Sequence, residues 1–298
     1  MPSPGVYASI LRESLRERRW RRFHWNPLTN PRRWQDFDDQ LLDALPRLSR
    51  SPVSLRDALR TLHEQREWII EYVGIHVMSL LYANVGYQGM DSLLASWLPQ
   101  RRTHLLPRLA TCPPGNETVA TNAALNRLAR AASPADLEAL SEGRWSGAFG
   151  EQLAAFLAAR GHRAAASWEV FSPRWRDQPA TLVPILKSQQ TTEDPLHRQE
   201  RQEAAFREAC AELREELDAP RAALVLSLAR LTRTYLLLRE NQRFSFDRLL
   251  LCMRDSFVWI GERWVEQGWL DAPADIQHLT WDEVEALCNG ELLSLIHI

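Results

Sequence analysis

The densest concentration of side chains that could do chemistry is the segment from Arg160 to Pro179, RGHRAAASWEVFSPRWRDQP. It holds four arginines, two tryptophans, a histidine and a glutamate. Guanidinium groups bind carboxylates and phosphates through paired hydrogen bonds, and histidine and glutamate side chains can act as general acids and bases. The segment therefore has the residue types for anion binding or for proton transfer.

No accompanying motif turns this segment into a recognisable active site. The chain has no GxxxxGKS or GxxxxGKT, GxGxxG, GxSxG or HExxH sequence, and its 12 glycines form no phosphate-cradling loop. Its four cysteines (Cys112, Cys210, Cys252 and Cys288) stand far apart, which argues against a zinc site or a disulfide framework. We therefore expect no catalytic residue and no metal site, and we interpret His162 as a structural hydrogen-bonding residue.

The segment cannot be one helix, because Pro173 and Pro179 bias the residues before them away from helical conformation. We interpret it as a structural junction in which Gly161 ends a helix and two tryptophans anchor a non-helical crossing. The residues expected to hold this junction are His162, Arg163, Trp168, Glu169, Arg174, Trp175 and Arg176.

Two further arginines, Arg239 and Arg243, lie four residues apart in a helical stretch. Like charges at this spacing repel each other unless an acidic group lies nearby. Glu240 and Asp247 can relieve part of the repulsion locally. We also predict that a carboxylate of the junction, Glu169 or Asp177, pairs with these arginines.

The elements that position these residues are predicted to be helices, because apolar residues recur mostly at spacings of three and four. The fold class is mainly α: an irregular multi-helix bundle with one long C-terminal helix and few or no strands. The predicted helices cover 12–23, 34–45, a long stretch from Ser54, a stretch after the N-cap Asn116, a short one begun by Ser133 and Pro134, 146–159, 195–217, 220–267 and a last one begun by Thr280 and Glu283.

Several details of these helices follow from glycine and proline positions. Gly74, Gly86 and Gly89 indicate close helix packing or kinks in the long stretch after Ser54. Residues 99–116 are expected to be a connection and residues 276–279 an extended piece. The run 220–267 would reach about 70 Å as one helix, so a bend near Asn241 is predicted, with Gly268 ending it.

The N-terminal region is rich in arginine, from Arg12 through Arg33, with the aromatic residues Trp20, Phe23, Trp25 and Trp34 interspersed. This composition is compatible with a nucleic-acid-binding patch. An amphipathic helix pair with solvated arginines explains it better, because the region lacks lysine and any known binding module. The net charge of -2 also gives no overall attraction to nucleic acid.

The domain organisation expected from the sequence is an N-terminal helical arm at 1–50 and a central helical domain at 51–290. We expect no stretch of the sequence to approach the roughly 18 consecutive apolar residues of a membrane span, and the N-terminus lacks the apolar core of a secretory signal. We therefore expect a cytoplasmic protein without a membrane partner.

Two stretches resemble one known family. GHRAAASWEVFSPRWRDQP is similar to the GHR…E…PRW…P segment of the phosphoenolpyruvate-utilising phosphotransferases, which include phosphoenolpyruvate synthases and rifampicin phosphotransferases. LRENQRFSFDRLLLCMRDSFVWIGERWVEQGWLDAPADIQHLTWDEVEAL is similar to the segment that follows in these proteins and places Arg239, Arg243 and Arg248 at motif positions. LLYANVGYQGM and CPPGNETVATNAALNRLA resemble the rifampicin branch. The likeness covers most of residues 55–290.

This resemblance implies that the chain is the central helical, acceptor-binding-like region of an ATP-dependent phosphotransferase. In that family an ATP-grasp domain cleaves ATP, and a mobile domain carries a phosphohistidine that delivers the β-phosphate to an acceptor, with release of AMP and phosphate. The implied partners are therefore these two domains and a small-molecule acceptor. ATP and Mg²⁺ are expected for the parent enzyme and no cofactor for this region, which we expect to be inert alone.

Within this interpretation, four residues are candidates for an acceptor pocket: Tyr82, Asn84, Tyr87 and Trp97. Aromatic and amide side chains on an inner helix can stack against a ligand and orient it. For each of them taken singly, an ordinary core position is the better explanation. Ala164 replaces the glycine that the family has after His-Arg, and this departure leaves the acceptor open.

The resemblance also predicts that the ATP-grasp residues precede Met1 and that the histidine domain follows Ile298. The last six residues, Leu293 to Ile298, are what a transposon-end sequencing adaptor would encode, so 293–298 are expected to be an artefact. The main alternative is a standalone helical binding or scaffold protein without catalytic activity. Nucleic-acid binding through the N-terminal arginines is a lesser alternative.

Overall fold

The computed structural model describes residues 26–164 and 169–290. It is 77% helical, and the described residues contain no strand. The prediction of a mainly α, multi-helix fold is therefore confirmed. The predicted helix at 12–23, the side chain of Trp168 and the tail 293–298 lie outside the described residues.

Ten α-helices and two short 3-10 helices fall within these residues. The α-helices are α1 Asn30–Leu48, α2 Leu55–Trp97, α3 Arg102–Leu109, α4 Glu117–Ala131, α5 Pro134–Ser141, α6 Gly147–Arg160, α7 Val183–Gln189, α8 Pro195–Glu216, α9 Ala219–Glu266 and α10 Trp281–Cys288. The 3-10 helices are Pro179–Leu182 and Pro273–His278.

The helix ends follow local capping chemistry. Ser133 caps α5 in a capping box with Asp136, and Thr280 caps α10 in the same way with Glu283, as the sequence predicts. Helix α9 ends at Glu266, and Gly268 follows with a φ of 73°, a left-handed conformation that glycine adopts without strain. These ends are specified by a few neighbouring residues, which is why they could be predicted.

The chain divides into two compact units, and the first comprises residues 26–38, 70–117 and 196–242. Its largest apolar cluster joins the C-terminal part of α2 with α3, α8 and the start of α9. Helices α2 and α9 approach closely there: a Cβ added at Gly86 would lie 2.6 Å from Thr232 Oγ1, and one at Gly89 would lie 3.2 Å from Leu228. The predicted close packing at these two glycines is confirmed, whereas Gly74 has open space around it.

A buried polar network also joins α2 and α9 in the first unit. His76 Nδ1 lies 2.9 Å from Gln242 Oε1, and the Gln242 amide donates to Ser79 Oγ at 2.8 Å. Tyr72 stacks on His76 with ring centroids 5.3 Å apart. Because buried polar groups cost free energy unless they are paired, this network fixes the register of the two helices.

The second unit comprises the described residues of 39–69, 118–195 and 243–290. One apolar cluster is formed by α4 to α7 together with Trp175. Another joins the start of α2, the second half of α9 and α10, with Trp264 fully buried. Gln65 donates to Leu48 O and to Ser256 Oγ in the same unit, at 2.9 and 3.0 Å.

Two predicted elements were wrong. Residues 102–109, expected within a connection, form α3, because Leu105, Leu106 and Leu109 are buried on one side of it. Residues 276–279, expected to be extended, lie mostly in the 3-10 helix Pro273–His278. The single helix α9 spans 48 residues, and the bend near Asn241 stays a prediction.

The expectation that no window approaches a membrane span was also wrong by length and composition. Helix α2 contains an 18-residue window with a mean hydropathy of 1.3, of which 44% is buried. The core helix of a soluble protein passes the same test. In the part of α2 that belongs to the first unit, the buried network of His76 and Ser79 is what a protein core requires.

Candidate functional site

The two halves of the junction lie side by side in the second unit. The Trp175 N–H donates to Arg163 O at 2.8 Å, and the Arg176 N–H donates to Gly161 O at 3.0 Å. A Cβ on Gly161 would lie 2.4 Å from Leu157 O and 2.9 Å from Arg176 Cβ, so only glycine permits this approach. These contacts place residues 161–163 (GHR) beside residues 173–176 (PRWR).

Trp175 anchors the junction in the apolar cluster of α4 to α7. Its ring stacks against Phe156 with centroids 5.8 Å apart, and Arg163 lies over it at 6.0 Å. Only 8% of Trp175 is exposed. The tryptophan therefore fixes the backbone from which Arg163 and Arg174 project.

Arg174 is fully buried. Its Nη2 donates to Glu169 O at 3.0 Å and to Val170 O at 3.4 Å, while Nε and Nη1 have no hydrogen-bond partner among the described residues. A guanidinium stays charged at all ordinary pH values. Its burial therefore places a positive charge with unused donors inside the unit.

The carboxyl group that acts most strongly on this charge belongs to Asp247 of α9, which is also fully buried. Its Oδ2 lies 3.8 Å from Arg163 Nε, and neither carboxyl oxygen has a hydrogen-bond partner within the described residues. Burial raises the pKa of Asp247 to about 7, although Arg163, Arg243 and Arg174 oppose the shift. Asp247 is thus poised between its neutral and charged forms near neutral pH.

The pKa of His162, which precedes Arg163 in the junction, is shifted in the opposite direction to that of Asp247. Its ring meets Phe244 edge to face at 4.6 Å, and its Nε2 has no hydrogen-bond partner in the described part of the chain. Burial, followed by repulsion from Arg248, Arg163 and other arginines, lowers the pKa of His162 to about 3. The imidazole is therefore neutral at physiological pH.

We call Arg163, Arg174, Asp247 and His162 the arginine–aspartate cluster. Thr121 of α4 supports its edge, because its Oγ1 accepts from Arg163 Nη1 at 3.4 Å. The cluster can bind anions through its guanidinium groups and can hold a proton on Asp247. Both are properties of sites that handle phosphate or carboxylate groups.

Outside this cluster, two ion pairs connect the junction to α9. Asp177 Oδ2 lies 2.9 Å from Arg254 Nη1, and Arg176 Nη2 donates to both oxygens of Asp255 at 2.7 Å. The prediction that Asp177 pairs with Arg239 and Arg243 was wrong, because Asp177 contacts the long helix at Arg254. Glu169 was also predicted wrongly: its side chain is exposed, and among the described residues only its carbonyl oxygen accepts a hydrogen bond.

The other motif arginines have separate environments. Arg239, in the first unit, donates to Glu240 Oε1 at 2.6 Å. In the second unit, Arg243 contributes a nearby positive charge to Asp247, and Arg248 lies over the ring of Phe244 at 4.7 Å. The structure therefore brings His162, Arg163, Arg174 and Trp175 together, with Arg243 and Arg248 beside them.

The four acceptor-pocket candidates lie on α2 in the first unit but do not converge. Tyr82 is buried against Tyr235, with ring centroids 5.1 Å apart, whereas Asn84 and Tyr87 are exposed. Trp97 lies under the guanidinium of Arg221 at 5.4 Å. Tyr82 and Trp97 are separated by about 22 Å along the helix at 1.5 Å per residue, so one small ligand cannot contact all four.

Sequence reasoning missed the central place of Asp247, which was read only as a local partner for the arginine pair, and it missed Thr121. Asp247 stands in an apolar stripe of α9 between Phe246 and Leu249, both buried. An acidic residue within such a stripe was the available signal. In the described ranges, no group of three or more His, Cys, Asp or Glu side chains could hold a metal ion.

One known family matches the central part of the chain. Residues 75–240 match the family model described as the rifampicin phosphotransferase fourth domain. No curated protein matches the chain. The matched stretch covers more than half of the sequence and contains the whole junction. The chain therefore belongs to the rifampicin phosphotransferase fourth-domain family, as the central region of a phosphoenolpyruvate-utilising phosphotransferase-like protein.

Proposed function

We propose that this chain is the acceptor-binding domain of an ATP-dependent phosphotransferase that works through a phosphohistidine carried on another domain. The family match supports a helical domain of a rifampicin phosphotransferase-like enzyme. By this proposal the chain holds the acceptor and is not catalytic alone. ATP and Mg²⁺ belong to the ATP-grasp domain of the parent protein, and the location is cytoplasmic.

The observation that carries the acceptor-binding role is an exposed surface on α2 within the matched stretch. Leu81, Val85 and Tyr87 are 42%, 51% and 37% exposed, and the exposed amide of Asn84 lies among them. We call these four residues the α2 patch. Grouped exposed apolar residues with a polar group among them are typical of binding surfaces.

Buried residues of the first unit anchor the part of α2 that carries the α2 patch. Tyr82, next to it in sequence, packs against Tyr235 in a cluster with Met78 and Ala83. The Tyr235 hydroxyl donates to Pro27 O at 2.6 Å, and burial raises the pKa of this phenol well above its usual value. A patch on so rigid a helix can position an acceptor hydroxyl for transfer with little loss of conformational entropy.

The test is a transfer assay in which the chain is mixed with the phosphorylated histidine domain of a family enzyme and a panel of candidate acceptors, including a rifamycin. We expect radiolabelled phosphate to reach an acceptor only when the chain is present. Val85→Glu should reduce this transfer at least about ten-fold, because a charge in an apolar site opposes ligand burial. The matched control is Leu196→Glu, at a leucine that is 40% exposed on α8.

Transfer that does not depend on the chain would refute the proposal, as would a Val85→Glu variant as active as the control. Specific acceptor binding without any transfer would instead favour the alternative of a standalone binding protein. Circular dichroism of both variants must show the wild-type helix content for the comparison to count.

A further inference from the structure

The arginine–aspartate cluster contains unused hydrogen-bonding groups of both kinds. The Nε and Nη1 donors of Arg174 and both carboxyl oxygens of Asp247 are buried without a hydrogen-bond partner among the described residues. Both side chains are 0% exposed. Buried polar groups are almost always paired, because each unpaired one costs free energy. These four atoms can therefore form hydrogen bonds to a small polar ligand.

The charges around this place favour an anion. Arg163, Arg174 and Arg243 all lower the pKa of Asp247, which is the one carboxyl group of the arginine–aspartate cluster. Asp177 and Asp255, the next carboxylates, are engaged by Arg254 and Arg176. The cluster thus carries more positive than negative charge, and an added anion reduces the imbalance.

The presence of Asp247 restricts which anion fits. A carboxylate accepts hydrogen bonds and repels an anion that has no proton to offer. Phosphate keeps at least one O–H group near neutral pH, so it can donate to a carboxylate while its other oxygens accept from guanidinium groups. Sulfate has the same shape and, at pH 8, the same charge as the dominant phosphate ion, but it has no proton.

We propose that the arginine–aspartate cluster binds one inorganic phosphate ion, with Arg163 and Arg174 donating to its oxygens and Asp247 accepting its O–H group. Asp247 is then the residue that selects phosphate over sulfate. Because the cluster is buried, it takes the bare ion in preference to a phosphate monoester. The inference goes beyond the proposed function and does not depend on it, since it requires neither an acceptor nor another domain.

The experiment is isothermal titration calorimetry of the full chain with sodium phosphate and with sodium sulfate at matched ionic strength and at pH 8, where Asp247, with a pKa of about 7, is charged. For a second set of titrations, in which one anion displaces the other, the chain is first equilibrated overnight with the first anion. This is needed because entry into a buried site requires local opening. We expect one phosphate per chain and at least about ten-fold weaker sulfate binding, since a site built around a hydrogen bond rejects an analogue that lacks it.

Asp247→Asn tests the selecting residue. Its amide removes the negative charge and can donate to either anion, so we expect the preference for phosphate to fall to about two-fold or less. Arg174→Gln should abolish binding of both anions. The matched control is Arg263→Gln, because Arg263 pairs with Glu266 on the surface and should leave both affinities unchanged.

Several outcomes would overturn the proposal. They are equal affinity of the wild-type chain for phosphate and sulfate, no saturable phosphate binding, undiminished selectivity in Asp247→Asn, and tighter binding of phenyl phosphate than of phosphate. The wild-type comparison alone decides the matter if a cluster variant does not fold.

Discussion

The Nε atom of Arg163 lies 3.8 Å from Oδ2 of Asp247, close enough for an ion pair but too far for a hydrogen bond. Burial destabilises the charged carboxylate by more than the attraction to Arg163 stabilises it. The pKa of Asp247 is therefore raised to about 7. Nearby, His162 has its pKa lowered to about 3 by burial and by the surrounding arginines. The two groups make opposite contributions to the pH dependence of stability.

Asp247→Asn should reveal the contribution of the carboxyl group. Between pH 4 and 7 the folded wild type holds a proton on Asp247 that the unfolded chain releases, so wild-type stability falls as pH rises through this window. The asparagine variant lacks this loss. We expect its free energy of unfolding, relative to wild type, to rise by up to about 1.4 kcal/mol per pH unit up to pH 7 and then level off.

His162→Asn should show the reverse. Between pH 3 and 6.5 the unfolded chain binds a proton that the folded chain does not, so His162 stabilises the wild type increasingly as pH rises. Relative to wild type, the variant should lose stability with rising pH across that window. Urea denaturation at half-unit pH intervals measures both variants, and difference curves that stay flat would contradict both shifts.

The close approach of α2 and α9 in the first unit predicts a strong effect of Gly86→Ala. The new Cβ would lie 2.6 Å from Thr232 Oγ1 and 3.3 Å from Thr232 N, so the helices must move apart. Overpacking of this kind costs about 1–3 kcal/mol. Gly74→Ala on the same helix is the matched control, because nothing lies within 4 Å of its Cβ position. It should be neutral or stabilising by up to about 1 kcal/mol in thermal or urea unfolding.

These contrasts indicate what could be predicted from the sequence. The helical period, the capping boxes at Ser133 and Thr280 and the turn at Gly268 depend on a few neighbouring residues, and all were predicted. Helix α3 was missed because Pro107 and the flanking prolines suggest a connection. Burial of its leucines and the ion pair of Arg108 with Glu212, at 2.8 Å, stabilise it instead.

The candidate site was harder to predict, because its members come from distant parts of the chain. Arg163 and Arg174 were singled out by residue type, but their position beside Asp247 depends on tertiary packing. The position of Asp247 within the apolar stripe of α9 indicates burial, but it does not show which side chains of other elements face it. Residue type and motif spacing could identify Arg163 and Arg174, but they could not identify the buried carboxylate that these arginines face.

Asn241 links α9 to the start of α4 through two side-chain hydrogen bonds. Its Oδ1 accepts from the Glu117 N–H and its Nδ2 donates to Gly115 O, both at 3.0 Å. Asn241→Ala should destabilise the chain by about 1–2 kcal/mol, as loss of an N-cap does. Asn241→Asp keeps the acceptor and places a negative charge at a helix N-terminus, so its cost should be smaller. Equal losses in the two variants by urea unfolding would show that the cap is not the cause.

Asp177 and Glu169, the two junction carboxylates predicted to dock on the long helix, should contribute differently to the free energy of unfolding. Asp177 accepts from the Arg174 N–H at 3.0 Å and pairs with Arg254 at 2.9 Å, whereas the exposed Glu169 side chain makes neither kind of contact with the residues that the structure describes. Asp177→Asn should therefore lower the free energy of unfolding by about 1–2 kcal/mol. Glu169→Gln should change it by less than about 0.5 kcal/mol, as for surface substitutions in general. A larger effect at Glu169 than at Asp177 in parallel thermal melts would mean that the junction is held to α9 through the other carboxylate.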